Sequence, residues 1–244
     1  MPSFHPPRAI IFDLDGTLVD SAEDLRAALN RLLGELGLRS IEANEIKGMI
    51  GDGVLKMVER ALVAAHGDPQ QSDAWLPRFL EIYLANSANL TRCYPGVPET
   101  LDELHRREFR LAVVTNKPVS ATNRILGTLS LARFFPVVVG GDSVQQRKPH
   151  PAPLLEAARR LGVDVSQSLM VGDNIHDVAA AHAAGMRCVA VSYGYHHRPP
   201  SEFDADHLID QFADLLPLVI NPASQCHTLD SEAERLSRPD QSFP

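Results

Sequence analysis

The chain has 244 residues, 44% of them hydrophobic, with a formal net charge of −8. That length and apolar share suit one large α/β domain, or a core with a smaller insert, and need no disulfides to build a sizeable interior. The acidic balance excludes a general nucleic-acid or anionic-membrane binder, whose affinity comes from basic surface. An anionic small molecule stays open, because a local cluster of a cation and a lysine can outweigh the global field.

Met1–Pro7 has no basic region followed by a long apolar stretch, so no signal peptide is expected. No apolar run is long enough to span a bilayer. The first predicted element is a buried strand, Ala9-Ile10-Ile11-Phe12, ended by Asp13-Leu14-Asp15-Gly16-Thr17. Ser21 then reads as a helix N-cap with Asp24 completing a capping box. Leu25, Leu29, Leu32, Leu33 and Leu36 recur at helical spacing, and Gly37 closes that helix. A glycine-punctuated loop follows over Lys47–Gly53. Val54, Leu55, Val58, Leu62 and Val63 mark a second helix, and Trp75–Asn89 a third. Between Asp20 and Thr91 the pattern predicts helices and no strand.

The pattern changes at Tyr94-Pro95-Gly96-Val97-Pro98. A helix is predicted over Glu99–Arg106, then strands at Leu111–Thr115, Val137–Gly140, Leu169–Gly172 and Cys188–Val191. Helices at Pro151–Leu161 and Ile175–Ala184 lie among them. Near-continuous apolar strands separated by helices indicate a doubly wound parallel sheet covered on both faces. The expected organisation is therefore an α/β core over 1–19 and 92–222, a small all-α cap inserted after the first strand over 20–91, and a polar, unstructured tail over 223–244. Cys93, Cys188 and Cys226 are odd in number and far apart, which suits reduced thiols in a cytoplasm better than a disulfide framework or a zinc site.

In a parallel sheet, chemistry gathers at the carboxyl ends of the strands. The first strand delivers Asp13 and Asp15, whose side chains leave on one side. Two converging carboxylates repel unless a cation or a proton lies between them, and a hard divalent ion such as Mg²⁺ takes oxygen ligands. An ordinary Asp-Gly turn with solvated carboxylates is the alternative at this point. The second strand delivers Thr115 and Asn116, which could also cap the next helix. Lys148 follows the third strand, where a solvated loop charge is the plain alternative. The fourth strand delivers Asp173, followed by Asn174 and Asp177, which could form a turn and an N-cap. Their joint occurrence in this order favours one shared site.

The set DLDGT at 13–17, Thr115-Asn116, Lys148-Pro149, and Gly172-Asp173 with Asp177 resembles the haloacid dehalogenase (HAD) superfamily of phosphatases over roughly Arg8–Pro217. Gly140-Gly141-Asp142-Ser143, Arg147–Pro151 and the Gly51-Asp52-Gly53 loop are most similar to its phosphoglycolate phosphatases. The resemblance implies a HAD-like Rossmannoid core and a Mg²⁺-dependent hydrolysis of 2-phosphoglycolate. It implies Asp13 as nucleophile, Asp15 as general acid and base, and Lys148 as the charge that keeps Asp13 ionised. It also implies a metal held by Asp13, Asp173 and the Asp15 backbone carbonyl, with phosphoryl oxygens held by the Thr115 hydroxyl and the Asn116 amide. Asp177 would orient its neighbours rather than ligate the metal.

The insert matches the position of that superfamily's cap, which closes over a small substrate. Gly51, Asp52 and Gly53 would present backbone N–H groups to the substrate carboxylate near a helix start; a flexible connector is the alternative. Arg147 is a weaker candidate for that carboxylate and suits a surface charge better. His5, His196 and His197 receive no role. Competing readings keep the chemistry with another small phosphate monoester, a sugar phosphate or nucleotide. Dehalogenation of a 2-halo acid is disfavoured by the three carboxylates Asp13, Asp15 and Asp173. A silent binding module is disfavoured because no charged position is missing.

Overall fold

The computed structural model describes residues 6–220. The expected tail at 223–244, Cys226 and His5 lie outside the described residues. Strand β1 (Ala9–Phe12) is fully buried and sits mid-sheet. It pairs in parallel with β4 (Arg110–Val114) on one side and β6 (Ser168–Gly172) on the other. Beyond β4 lies β5 (Val137–Val139); beyond β6 lie β7 (Arg187–Val191) and β8 (His207–Ile209), all parallel. The chain winds outward from β1 in one direction, then returns to β6 and winds the other way. The loops that leave β1 and β6 therefore diverge, and a crevice opens above their carboxyl ends.

Successive side chains of β1 feed opposite faces. Ile10 and Phe12 join one core with α5 (Val97–Arg106), α6 (Val119–Thr128) and α9 (Leu215–Ile220). Ala9 and Ile11 join the other with α7 (Ala152–Leu161) and α8 (Ile175–Ala184). Burial on both faces is why the strand reads as an unbroken apolar run. Phe12 lies edge-on to Phe135 at 6.0 Å between ring centres and 5.7 Å from Phe212.

Between β1 and β4 the chain makes a helical layer: α1 (Ala22–Glu35), α2 (Ala43–Ile46), α3 (Val54–Ala64) and α4 (Ser72–Asn86). Its interior is its own, built on Leu25, Leu29, Leu32, Val58, Phe79 and Tyr83, and Ala121 and Tyr195 reach it from the sheet side. The expected leucine stripe of α1 is the stripe that it buries.

Four expectations are corrected. Ser21 stands at the N-cap of α1 but makes no capping bond; its hydroxyl donates to Asp15 Oδ1. Asp24 instead accepts from Leu90 N (3.0 Å), Thr91 N (2.8 Å) and Thr91 Oγ1 (2.6 Å), tying the start of α1 to the chain leaving the layer. The stretch is not wholly helical at its borders, because β2 (Val19–Asp20) and β3 (Arg92–Cys93) pair antiparallel where the chain enters and leaves. Two residues carry no readable periodicity. The third helix runs Ser72–Asn86 rather than Trp75–Asn89, since Ser87 turns extended and Ala88 takes a positive φ of 75°. Lys47–Met49 forms a turn of 3₁₀ helix, which shortens the glycine loop to its last residues.

Phe12→Ala is expected to lower unfolding free energy by about 3–5 kcal/mol, because both aromatic neighbours lose a contact beneath a central strand. Urea titration followed by circular dichroism measures it.

Candidate active site

The turn after β1 is set by backbone bonds before any side chain acts. Asp13 N still donates to Val171 O (2.9 Å), continuing the ladder. Gly16 N donates to Val19 O (2.9 Å), and Leu18 N to Leu14 O (2.9 Å), which folds the chain back over the strand end. Gly16 has φ +89°, and a Cβ there would stand 2.2 Å from Asp173 Oδ2. Glycine is thus required twice, for the conformation and for the approach of Asp173.

Asp173, 2% exposed, is held by Tyr195 N (2.7 Å) on Oδ2 and by the Thr17 hydroxyl (2.9 Å) on Oδ1. Lys148 is also buried. Its Nζ lies 2.9 Å from Asp13 Oδ1, and donates to Asp177 Oδ1 (2.6 Å) and Val114 O (2.8 Å). Asp177 Oδ2 accepts from Asn174 N (3.0 Å), while Asn174 caps α8 by accepting from His176 N. The turn-and-cap reading of this stretch and the shared-site reading are therefore both realised. Asp177 stands behind Lys148 and fixes where its ammonium points.

The electrostatics follow from confinement. Burial pushes the Asp13 carboxyl up to about 6, against the pull of Lys148. Burial, then the charges of Asp13 and Asp177, push Asp173 well above the usual carboxylate range. Burial disfavours the Lys148 ammonium, yet Asp13 and Asp177 together raise it above the ordinary lysine range. One carboxylate oxygen from each of Asp13, Asp173 and Asp177 falls within a 4.8 Å cluster. Three carboxylates around one ammonium leave two negative charges to be balanced. Asp13 Oδ1 is buried and has Lys148 close by, yet makes no hydrogen bond of good geometry. Oxygen-only donors and that charge deficit fit a hard divalent cation.

The remaining expected residues divide. Thr115 lines the cleft above the rim and its hydroxyl accepts from Lys117 N (3.2 Å). The Asn116 amide is engaged elsewhere: Nδ2 donates to Gly51 O (3.0 Å) and Lys148 O (3.0 Å), and Oδ1 accepts from Lys148 N (3.0 Å). Its side chain splices three loops together, where a phosphoryl contact was expected. Gly51 and Gly53 line the cleft, with φ of +118° and +89°. Asp52 does not line it. Its carboxylate meets Arg60, His176 and, at 3.8 Å, His197, and so ties the helical layer to the sheet. Arg147 is exposed and donates to Gly141 O (2.7 Å), in keeping with a surface charge. His196 lies 3.1 Å from Ser192 O.

Two residues escaped the sequence reading. The Tyr195 hydroxyl accepts from Ser21 N (2.7 Å) and Ala22 N (3.1 Å) and donates to Asp20 Oδ1, while its backbone holds Asp173. Lys117 is 3% exposed at its side chain and donates to both oxygens of Asp15, at 2.9 and 2.6 Å. Its place directly after Thr115-Asn116 at a strand end was the available signal. The cleft over these groups has Leu25, Ile50, Val54 and Met57 of the helical layer as its apolar roof.

A doubly wound α/β sheet with carboxylates, a buried ammonium and a hydroxyl at its switch point defines an enzyme that transfers an anionic group. The chain belongs to the haloacid dehalogenase-like hydrolases, whose family pattern matches residues 10–191. It is 39% identical over 233 residues to the phosphoglycolate phosphatase of Pseudomonas putida, covering 94% of this chain and 86% of that one. A predicted phosphoglycolate phosphatase from Haemophilus somnus superposes with a TM-score of 0.82 at 35% identity, over 86% of this chain and 97% of the other. CbbY from Rhodobacter sphaeroides, solved in complex with phosphate, gives a TM-score of 0.74 at 28% identity, over 86% and 96%. The chain is a phosphoric monoester hydrolase.

Gly16→Ala is expected to reduce turnover by at least about 100-fold, since Asp173 must move to admit the methyl group. Steady-state assay of the folded variant, with circular dichroism as the fold control, checks this.

Proposed function

We propose that the enzyme hydrolyses 2-phosphoglycolate to glycolate and phosphate, with Mg²⁺ as its ion. The observation that carries the reading is the buried Asp13–Lys148–Asp177 chain beside Asp173, under an apolar roof that leaves room for a small substrate. A phosphate monoester is anionic and repels an anionic nucleophile, so neutralisation and in-line positioning dominate catalysis. Lys148 supplies a fixed positive charge at Asp13. Mg²⁺, held by Asp13, Asp173 and the Asp15 carbonyl, would supply the remaining neutralisation of the phosphoryl oxygens. A carboxylate oxygen of Asp13 attacks phosphorus, the ester P–O bond breaks, and the leaving alkoxide takes a proton from Asp15. Water then attacks the aspartyl-phosphate and gives its proton to Asp15. The P–O bond to Asp13 breaks, and phosphate leaves. The Thr115 hydroxyl holds a phosphoryl oxygen, and Asp177 positions Lys148 without ligating the ion.

The helical layer acts as the cap, and its roof excludes water while the ester reacts. The protein works in the cytoplasm, a setting that suits Cys93 and Cys188, both free thiols. Among the described residues, no helix is long and apolar enough to cross a membrane.

Asp13→Asn is expected to lower turnover by about four orders of magnitude or more with the fold retained; substantial residual hydrolysis would remove the covalent route. Asp15→Asn is expected to slow both displacements, and an unchanged rate would exclude it as the proton carrier. Chelation should silence the wild type, with Mg²⁺ restoring it, whereas activity surviving chelation would point to metal-free chemistry. A substrate panel read as kcat/KM tests the substrate, and a preference for hexose phosphates over 2-phosphoglycolate would overturn that part.

A further inference from the structure

We propose that Lys117 is the specificity-determining residue, exchanging Asp15 for the carboxylate of the substrate when the cleft fills. The inference rests on the phosphoglycolate reading above and deepens it. The cleft over Asp13 is roofed by Leu25, Ile50, Val54 and Met57, none of which can meet a second negative charge. Among the described residues lining it, Lys117 is the one cation.

Its ammonium is poorly placed to be a mere surface charge. It is buried, donates to both oxygens of Asp15, and lies 5.0 Å from the ring centre of Tyr83 on α4. The side chain thus bridges core and helical layer. Burial pushes the Tyr83 hydroxyl up to about 12, against the pull of the Lys117 charge. That hydroxyl is buried beside the same ammonium and makes no hydrogen bond of good geometry.

The consequence falls on Asp15. A carboxyl group with both oxygens on an ammonium, and one of them also on the Ser21 hydroxyl, cannot offer a proton to a leaving oxygen until it gives up the pair. A substrate carboxylate one carbon from the ester oxygen supplies a replacement partner for Lys117. The exchange conserves one buried ion pair, and the charge left on Asp15 is neutralised by a proton taken from water as the pair parts, so no uncompensated charge stays in the cleft. A neutral ester offers no such partner, and Asp15 stays on Lys117. Recognition of the carboxylate and release of the acid are then one event.

The test compares 2-phosphoglycolate with its neutral carboxamide, 2-phosphoglycolamide, by kcat/KM in the wild type, Lys117→Met and Lys117→Arg. The wild type is expected to prefer the carboxylate by on the order of 100-fold or more, because a site built for a charged partner discriminates strongly against its absence. Lys117→Met should bring the two substrates within a few-fold of each other, and Lys117→Arg should restore most of the preference. A Lys117→Met enzyme that loses rate on both substrates equally, keeping the wild-type preference, overturns the assignment and leaves the phosphoglycolate reading standing. A wild type without preference overturns that reading and this inference with it. Should Lys117→Met fail to fold, a crystal of Asp13→Asn with 2-phosphoglycolate decides. Lys117 Nζ within about 3 Å of the substrate carboxylate supports the exchange, and an intact Lys117–Asp15 pair with the carboxylate held elsewhere refutes it.

Discussion

The structure depends on one electrostatic constraint: carboxylates drawn together at the rim of a sheet where water cannot solvate them. Asp13, Asp173 and Asp177 share a small buried volume with the ammonium of Lys148. Each charge alone would be strongly disfavoured there. Lys148 makes the set tolerable by pairing with Asp13 and Asp177, while Asp173 is held by the Tyr195 backbone and the Thr17 hydroxyl. Much of the surrounding backbone serves that arrangement. Gly16 and Gly194 each leave space that a methyl group would take from Asp173, and Gly172 does the same for Asp177.

A second buried pair, Asp15 with Lys117, sits beside the first and faces the helical layer. The two pairs divide the labour. Lys148 is locked by Asp177 and a backbone carbonyl and offers a fixed charge, whereas Lys117 is held by Asp15 and packs against Tyr83 on the helical layer. A fixed charge suits stabilisation of a transferring group; a charge that changes partner, as proposed for Lys117, suits recognition.

The helical layer is joined to the sheet by polar ties as well as by apolar packing. Asn116 reaches Gly51, Asp52 reaches His176 and His197, and Tyr195 reaches the start of α1. These bonds surround the cleft, so the same residues that place the roof also border the reacting groups. Ala121 and Tyr195 are the sheet-side members of the layer's apolar interior. Polar ties exchange with water more readily than a packed core opens, which fits the proposed role of the layer as a cap.

The amino-acid sequence by itself determined the architecture and the identity of the central charged groups. Ala9–Phe12 is apolar throughout because both of its faces are buried, and the leucines of α1 recur at helical spacing because one face is. Strand ends in a parallel sheet share one rim, so Asp13, Lys148 and Asp173 could be brought together from chain order alone. Only the tertiary structure decided what each polar side chain touches. Asn116 joins loops, Asp52 faces histidines, Ser21 bonds Asp15 in place of its own helix, and Lys117 lies buried on Asp15. The reason is physical. Burial imposes a periodicity that is written along the chain, whereas a hydrogen bond between residues about 100 positions apart depends on directions and distances of a few ångströms that no local pattern records.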